Sequence, residues 1–144
     1  MSLPDPEPGL VISYAYLWRH EHNAGLEEGR KVRPAVIVLS AMKPKTGNIR
    51  VIVAAITHSA PTGDTIAVEI PPKVKAHLGL DAERSWIVLD EVNSFDWPGF
   101  DLRPIEGSKS EFVYGFIPPK LHEQVRDTLV AANKAGKAHV TKRD

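Results

Sequence analysis

Apolar residues fall along this chain in short blocks broken by proline, glycine and charge, and only from Pro119 onward does the pattern change to a helical period. The block "GLVISYAYLW" (9–18) is β-branched and aromatic and predicts a first strand. "RHEHNAGLEEGRK" (19–31) is polar and without apolar period, which predicts a long exposed loop. "RPAVIVLS" (33–40) and "NIRVIVAAITHS" (48–59) predict two buried strands, joined into a hairpin by the basic turn "AMKPKTGN". "DTIAVEI" (64–70), "SWIVLDEVNSF" (85–95) and "EFVYGFI" (111–117) predict three more strands, and "PPKVKAHLGL" (71–80) a short helical turn. After Pro119, Leu121, Val125, Thr128, Leu129 and Ala132 recur at helical spacing behind prolines that a helix start tolerates. A small barrel of short strands with one C-terminal helix follows, flanked by a disordered tail at 1–8 and a frayed basic tail at 136–144, with one domain at 9–135.

Length and composition narrow the function. A chain of 144 residues has room for one core and no second catalytic domain. The absence of cysteine excludes disulfides, thiolate catalysis and sulfur-ligated metals, and it suits a reducing cytoplasm. Neither the N-terminal residues nor any apolar run has the length of a signal core or a membrane span, so a cytoplasmic protein with no membrane partner is expected. The formal net charge of zero hides an asymmetry: Arg30, Lys31, Arg33, Lys43, Lys45 and Arg50 occupy a stretch without a single acid, whereas 81–111 is acid-rich.

Several chemistries fail on spacing. "GLEEGRK" lacks the gap and terminal hydroxyl of a phosphate-binding loop, and "HEHNA" has alanine where a zinc-protease helix needs its second histidine. Arg33 is a better candidate. Pro34 holds it extended at the mouth of an apolar strand, which aims a planar fork of donors suited to two oxygens of one phosphate. A salt bridge to Glu27, Glu28 or Asp90 is the plainer reading of the same arginine. Thr57 and Ser59 project together at a strand end while His58 points the other way, and turn capping would explain the two hydroxyls as well. Asp90 interrupts an apolar run, where alternation puts it on one face with Val88 and Val92; it needs a partner, and Arg33 is the one expected. Phe95, Trp97 and Phe100 are expected in the core or an interface.

In order, "PGLVISYAYLW", "KVRPAVIVLS", "VIVAAITHS", "IVLDEVNSFDW" and "GFIPPKLHEQVRDTL" resemble the PemK/MazF family of bacterial toxin–antitoxin ribonucleases over most of the chain. The resemblance implies a mainly β fold with helices, an SH3-like small barrel of the CcdB/Kid/MazF type with a C-terminal helix. It also implies a homodimer, a protein antitoxin as partner, and cleavage of single-stranded RNA without metal or other cofactor. Arg33 and Thr57 fall on the family's catalytic arginine and hydroxyl positions, Ser59 in the same strand-end motif, and Asp90 on an acidic position some members use as the base. Two positions depart: Val88 stands where those members have arginine, and Leu26 where they have histidine, although His20 and His22 lie in the same loop.

The chemistry needs no metal, because RNA carries its own nucleophile in the 2′-hydroxyl. Arg33 would hold the phosphate, Thr57 and Ser59 would donate to its oxygens, and Asp90 would act as base or orient Arg33. Arg30, Lys31, Lys43, Lys45 and Arg50, with His20, His22 and His58, would track the RNA backbone. The alternative is a toxin resembling the CcdB-type gyrase poison, which acts by binding and cuts nothing.

Overall fold

The computed structural model describes residues 5–25, 32–99, 101–108 and 111–143. Strands β1 (Leu10–Ala15), β2 (Val32–Met42) and β3 (Ile49–Thr57) form its centre, with the short helix α1 (Arg19–Asn23) between the first two. Then come β4 (Ala67–Glu69), α2 (Pro72–Leu78), β5 (Trp86–Val88), β6 (Glu91–Asp96), β7 (Val113–Phe116), α3 (Pro119–Lys134) and β8 (His139–Lys142). The sheet runs β4-β5-β3-β2-β1-β7, with β6 on β3 and β8 on β6. All pairings are antiparallel except β6 with β8. The fold is mainly β with a C-terminal helix, as expected. Its sheet curves like a small barrel without closing, since β4 and β7 end the ladder.

β2 and β3 are apolar at nearly every position because both of their faces are covered. On one face Val36, Val38, Ala54 and Ile56 pack with Leu121, Val125 and Leu129 of α3. On the other, Ala35, Ile37, Val53 and Ala55 pack with Tyr14, Tyr16 and Phe95. Gly9 joins the outer strands: at φ +95°, open to glycine at no steric cost, it donates to the Ile37 carbonyl at 2.7 Å and accepts from the Ile117 amide at 2.9 Å. Burying Leu129 contributes about 1.5–3 kcal/mol of transfer free energy. Leu129→Ala, which adds a cavity, is expected to lower unfolding free energy by about 2–5 kcal/mol in urea titration.

The structure corrects several sequence expectations. The single strand at 85–95 is two strands, because Ile56 faces Ile87 while Val53 faces Asn93, so three steps along β3 answer six along its partner. Alternation therefore fails across Leu89 and Asp90. The expected loop at 19–31 opens with α1, whose first turn is closed by Glu21 accepting the Trp18 amide at 3.1 Å, as in a capping box. The expected strand at 64–70 keeps only Ala67–Glu69 in its ladder, since Thr62 and Thr65 make a turn.

The basic tail at 136–144 is not frayed: β8 pairs with β6, and Arg143 donates to Asp101 at 2.9 and 3.1 Å with both side chains almost wholly buried. Burial pushes the Asp101 carboxyl up from its ordinary value, and the hydrogen bonds from Arg143 and Tyr14 oppose it. At the other end, residues 5–8 of the expected tail carry a turn with Pro6 buried, and 1–4 lie outside the described residues. Phe95 is in the core as expected, and Phe100 lies outside the described residues.

Candidate active site

Arg33 enters from the second position of β2, opposite Tyr14 of β1. Pro34, its neighbour, faces Ser13 without leaving a ladder gap: Ser13 instead receives Arg103 at its carbonyl and donates its amide to the Phe112 carbonyl. The missing proline N–H thus costs nothing here. Beyond β1 the chain is fastened to β6 by a reciprocal pair, Leu17 amide to Asn93 Oδ1 at 3.0 Å and Asn93 Nδ2 to Leu17 carbonyl at 2.8 Å. Tyr16 adds a third tie, its hydroxyl donating to the Glu91 carbonyl at 3.0 Å. These bonds fix Trp18, and the Arg33 guanidinium carbon lies 5.1 Å from the Trp18 ring centroid, a cation–π stack.

The guanidinium is half buried, and its Nε has no hydrogen-bond partner among the described residues. Burial pulls the Arg33 pKa down, while the nearby Glu21 and Tyr16 act in the other direction. An arginine with a buried donor left unpaired is not explained by its packing, because such a group loses its hydration without return. The outcome for the plainer reading is mixed. Arg33 and Asp90 form no ion pair: Asp90 Oδ1 instead accepts the Ile66 amide at 3.3 Å, which corrects the partner expected for both. Glu27 and Glu28, the other partners named for Arg33, lie outside the described residues.

Thr57 closes β3. The β2–β3 ladder ends at Ala35 with Ala55, so Arg33 and Thr57, each two residues beyond, lie at the same end of the hairpin. Both are then on the face that carries Tyr14 and Tyr16. Thr57 Oγ1 accepts the Ser59 amide at 3.2 Å, so the turn-capping role is real; a hydroxyl that accepts keeps its own proton to donate. Ser59 itself is exposed beyond the strand.

Two acids border this face that the sequence reading passed over. Glu21 is buried at the start of α1. Glu91, half buried, accepts the Arg19 amide at 3.2 Å; burial pushes its carboxyl up and Asp90 adds to that, against the Arg19 hydrogen bond and the charges of His20 and Arg19. Tyr16 stands in the middle, its phenol raised chiefly by burial and then by Glu91 and Asp90, with Arg33 opposing. Trp18 was likewise missed; its one signal was an aromatic at the end of the first strand, indistinguishable there from core.

The expected cations divide into separate places. Lys43 and Arg50 share Asp96 at 2.8 and 3.2 Å, and Lys45 is exposed in the turn between β2 and β3. By strand rise that turn is roughly 30 Å from Arg33. His58 sits between two carboxylates, 2.9 Å from Asp81 and 3.2 Å from Glu83, which is a poor setting for meeting a phosphate. His20 is exposed on α1 next to Glu91's charge; Arg30, Lys31 and Leu26, and the side chain of His22, lie outside the described residues. Val88 is buried in β5.

What the arrangement offers chemically is an arginine fork on an aromatic platform, a hydroxyl at the same end of the hairpin, and carboxylates bordering that face. A family model described as "PemK-like, MazF-like toxin of type II toxin-antitoxin system" matches residues 16–131, a span that holds Trp18, Arg33, Thr57 and Asp90. No curated protein matches the chain.

Proposed function

The chain belongs to the family of PemK-like, MazF-like toxins of type II toxin–antitoxin systems, and from that premise we propose that it is a metal-independent, sequence-selective endoribonuclease acting on single-stranded RNA. The observation that carries this reading is Arg33: held on its strand, stacked on Trp18, and with a buried donor that has no partner among the described residues. A preorganised donor that gains its partner only when a phosphate arrives stabilises the charge developing on that phosphate.

The RNA 2′-oxygen forms a bond to phosphorus as the 5′-oxygen's bond to it breaks. Asp90 takes the 2′-hydroxyl proton, and the 5′-oxygen gains a proton from solvent at the open rim, leaving a 2′,3′-cyclic phosphate and a 5′-hydroxyl. Arg33 and Thr57 donate to the phosphate oxygens, with Ser59 beyond them. Asp90 acts on the proton and not through Arg33, since the two are not paired. Further along, Lys45 and the Lys43 and Arg50 end of the hairpin meet the RNA several nucleotides away from the cut.

The direct test uses a labelled RNA in excess EDTA. Cleavage with a cyclic phosphate product is expected, and an otherwise identical RNA with one 2′-deoxy at the scissile position should stay whole. Cutting of the deoxy substrate, or an absolute need for magnesium, refutes the mechanism; no cleavage of any RNA favours the binding-only toxin.

A type II toxin is held in check by a protein antitoxin. The working unit is a homodimer, supported by exposed apolar side chains such as Met42, Phe116 and Val140. Sedimentation at micromolar concentration should give a dimer, and RNA affinity should fall steeply with salt as phosphate contacts release counterions. A monomer, or affinity indifferent to salt, contradicts these two expectations respectively. No helix among the described residues is long and apolar enough to cross a membrane.

A further inference from the structure

Directly after Thr57 the chain places His58 against the loop between α2 and β5. There His58 Nε2 lies 2.9 Å from Asp81 Oδ2 and Nδ1 lies 3.2 Å from Glu83 Oε2. One nitrogen and two carboxylate oxygens, one from each residue, all lie within 4.8 Å of one another, and all three residues face solvent. Tetrahedral zinc holds its nitrogen and oxygen ligands at about 2.0–2.2 Å, which sets them roughly 3.3 Å apart; the two carboxylates face different ring nitrogens, so the set closes on one ion when Glu83 swings round to the nitrogen that faces Asp81. Glu83 supplies that freedom: its side chain is 72% exposed, and among the described residues it meets the imidazole alone.

Behind the cluster stands a built support. Lys75 is buried, and its ammonium donates to Asp81 Oδ1 at 2.7 Å, to Ser85 Oγ at 2.7 Å and to the Glu83 carbonyl. Three protons meet three acceptors, so Lys75 is fully used and fixes Asp81 with Oδ2 turned toward the imidazole. Ligating carboxylates are characteristically oriented by such outer partners. Two carboxylates against one ammonium leave the site net negative when the imidazole is neutral.

We propose that His58, Asp81 and Glu83 bind one divalent transition-metal ion of the zinc class, with a fourth position open to water. Mixed imidazole and carboxylate ligands favour zinc over magnesium, which prefers oxygen alone. The ion is structural and takes no part in the reaction proposed above. It ties the end of β3, where Thr57 pairs with Trp86, to the loop that leads into β5. The site stands on its own residues and does not depend on the reading of Arg33.

The test is zinc titration against a chromophoric chelator, with thermal unfolding alongside. Wild-type protein should bind one more equivalent of zinc than His58→Ala, and Glu83→Gln should weaken that equivalent by about tenfold or more, in line with lost ligand contacts. The melting temperature should rise with zinc for wild type and not for His58→Ala, since a ligand bound only by the folded form stabilises it. Magnesium at the same concentration should do neither. Asp81 is left intact because its loss would strand the buried Lys75. Equal stoichiometry and affinity in wild type and His58→Ala, with both variants folded by circular dichroism, overturns the proposal; so does the absence of a wild-type melting shift at saturating zinc.

Discussion

Arg33→Ala is expected to slow single-turnover RNA cleavage by about 100–1000-fold, roughly 3–4 kcal/mol, the size of effect seen when one preorganised donor to a developing oxyanion is removed. The side chain stacks on Trp18 and has a buried Nε without partner among the described residues, so its alignment is set before substrate arrives. Arg33→Lys should recover only a small part, because an ammonium is a point charge that cannot reproduce the fork or the planar stack. Trp18→Ala should slow the reaction by less than Arg33→Ala, since it loosens the platform and leaves the charge. Asp90→Asn, which removes the proposed base, should slow cleavage by about 100-fold or more, and Thr57→Ala should slow it least of the three. Asparagine keeps an acceptor for the Ile66 amide, so that loss reports the missing base and not a broken contact. If Asp90→Asn keeps the wild-type rate, Asp90 is not the base; if Arg33→Ala keeps most of its rate, Arg33 is not the phosphate clamp; if all variants match wild type, the site is elsewhere.

The largest effect on stability is expected at a buried ion pair that no proposed chemical step uses. Arg143→Ala leaves the Asp101 carboxylate 2% exposed and without its bidentate partner. Breaking a buried pair from one side costs about 3–5 kcal/mol, a large share of the stability of a small domain. The urea midpoint of Arg143→Ala should fall accordingly, with β8 losing its anchor beside β6. The double variant Arg143→Met with Asp101→Leu should regain much of the loss, because it removes both charges and keeps apolar volume. A midpoint for Arg143→Ala equal to wild type would mean that Asp101 is satisfied by other groups.

How far the fold was legible depended on the range of the interactions that made it. The hairpin of β2 and β3 was readable because both strands are apolar runs bounded by a proline, glycine and lysine turn, and a short connection leaves one antiparallel partner. α3 was readable from the spacing of Leu121, Val125 and Leu129, which are the residues it buries. The break at Asp90 was not, since alternation assumes one register and the three-residue slip is imposed by β3, which pairs with β5 at one end and β6 at the other. β8 looked like a solvated basic end because its partners, β6 and Asp101, are distant in sequence.

The same division runs through the candidate site. By itself the sequence determined that Arg33 would be extended and stiff, because proline restricts the residue before it, and that Thr57 would sit at a strand end. It determined the family resemblance and left metal-free chemistry as the natural reading, with neither cysteine nor a ligand motif of the right spacing. Only the tertiary structure decided that Trp18 lies under the guanidinium, that Asp90 pairs with a backbone amide in place of Arg33, and that the basic segment divides between two ends of one hairpin. Those outcomes depend on which strands neighbour one another and in what register, and a residue's local pattern carries no record of what the sheet brings across from it.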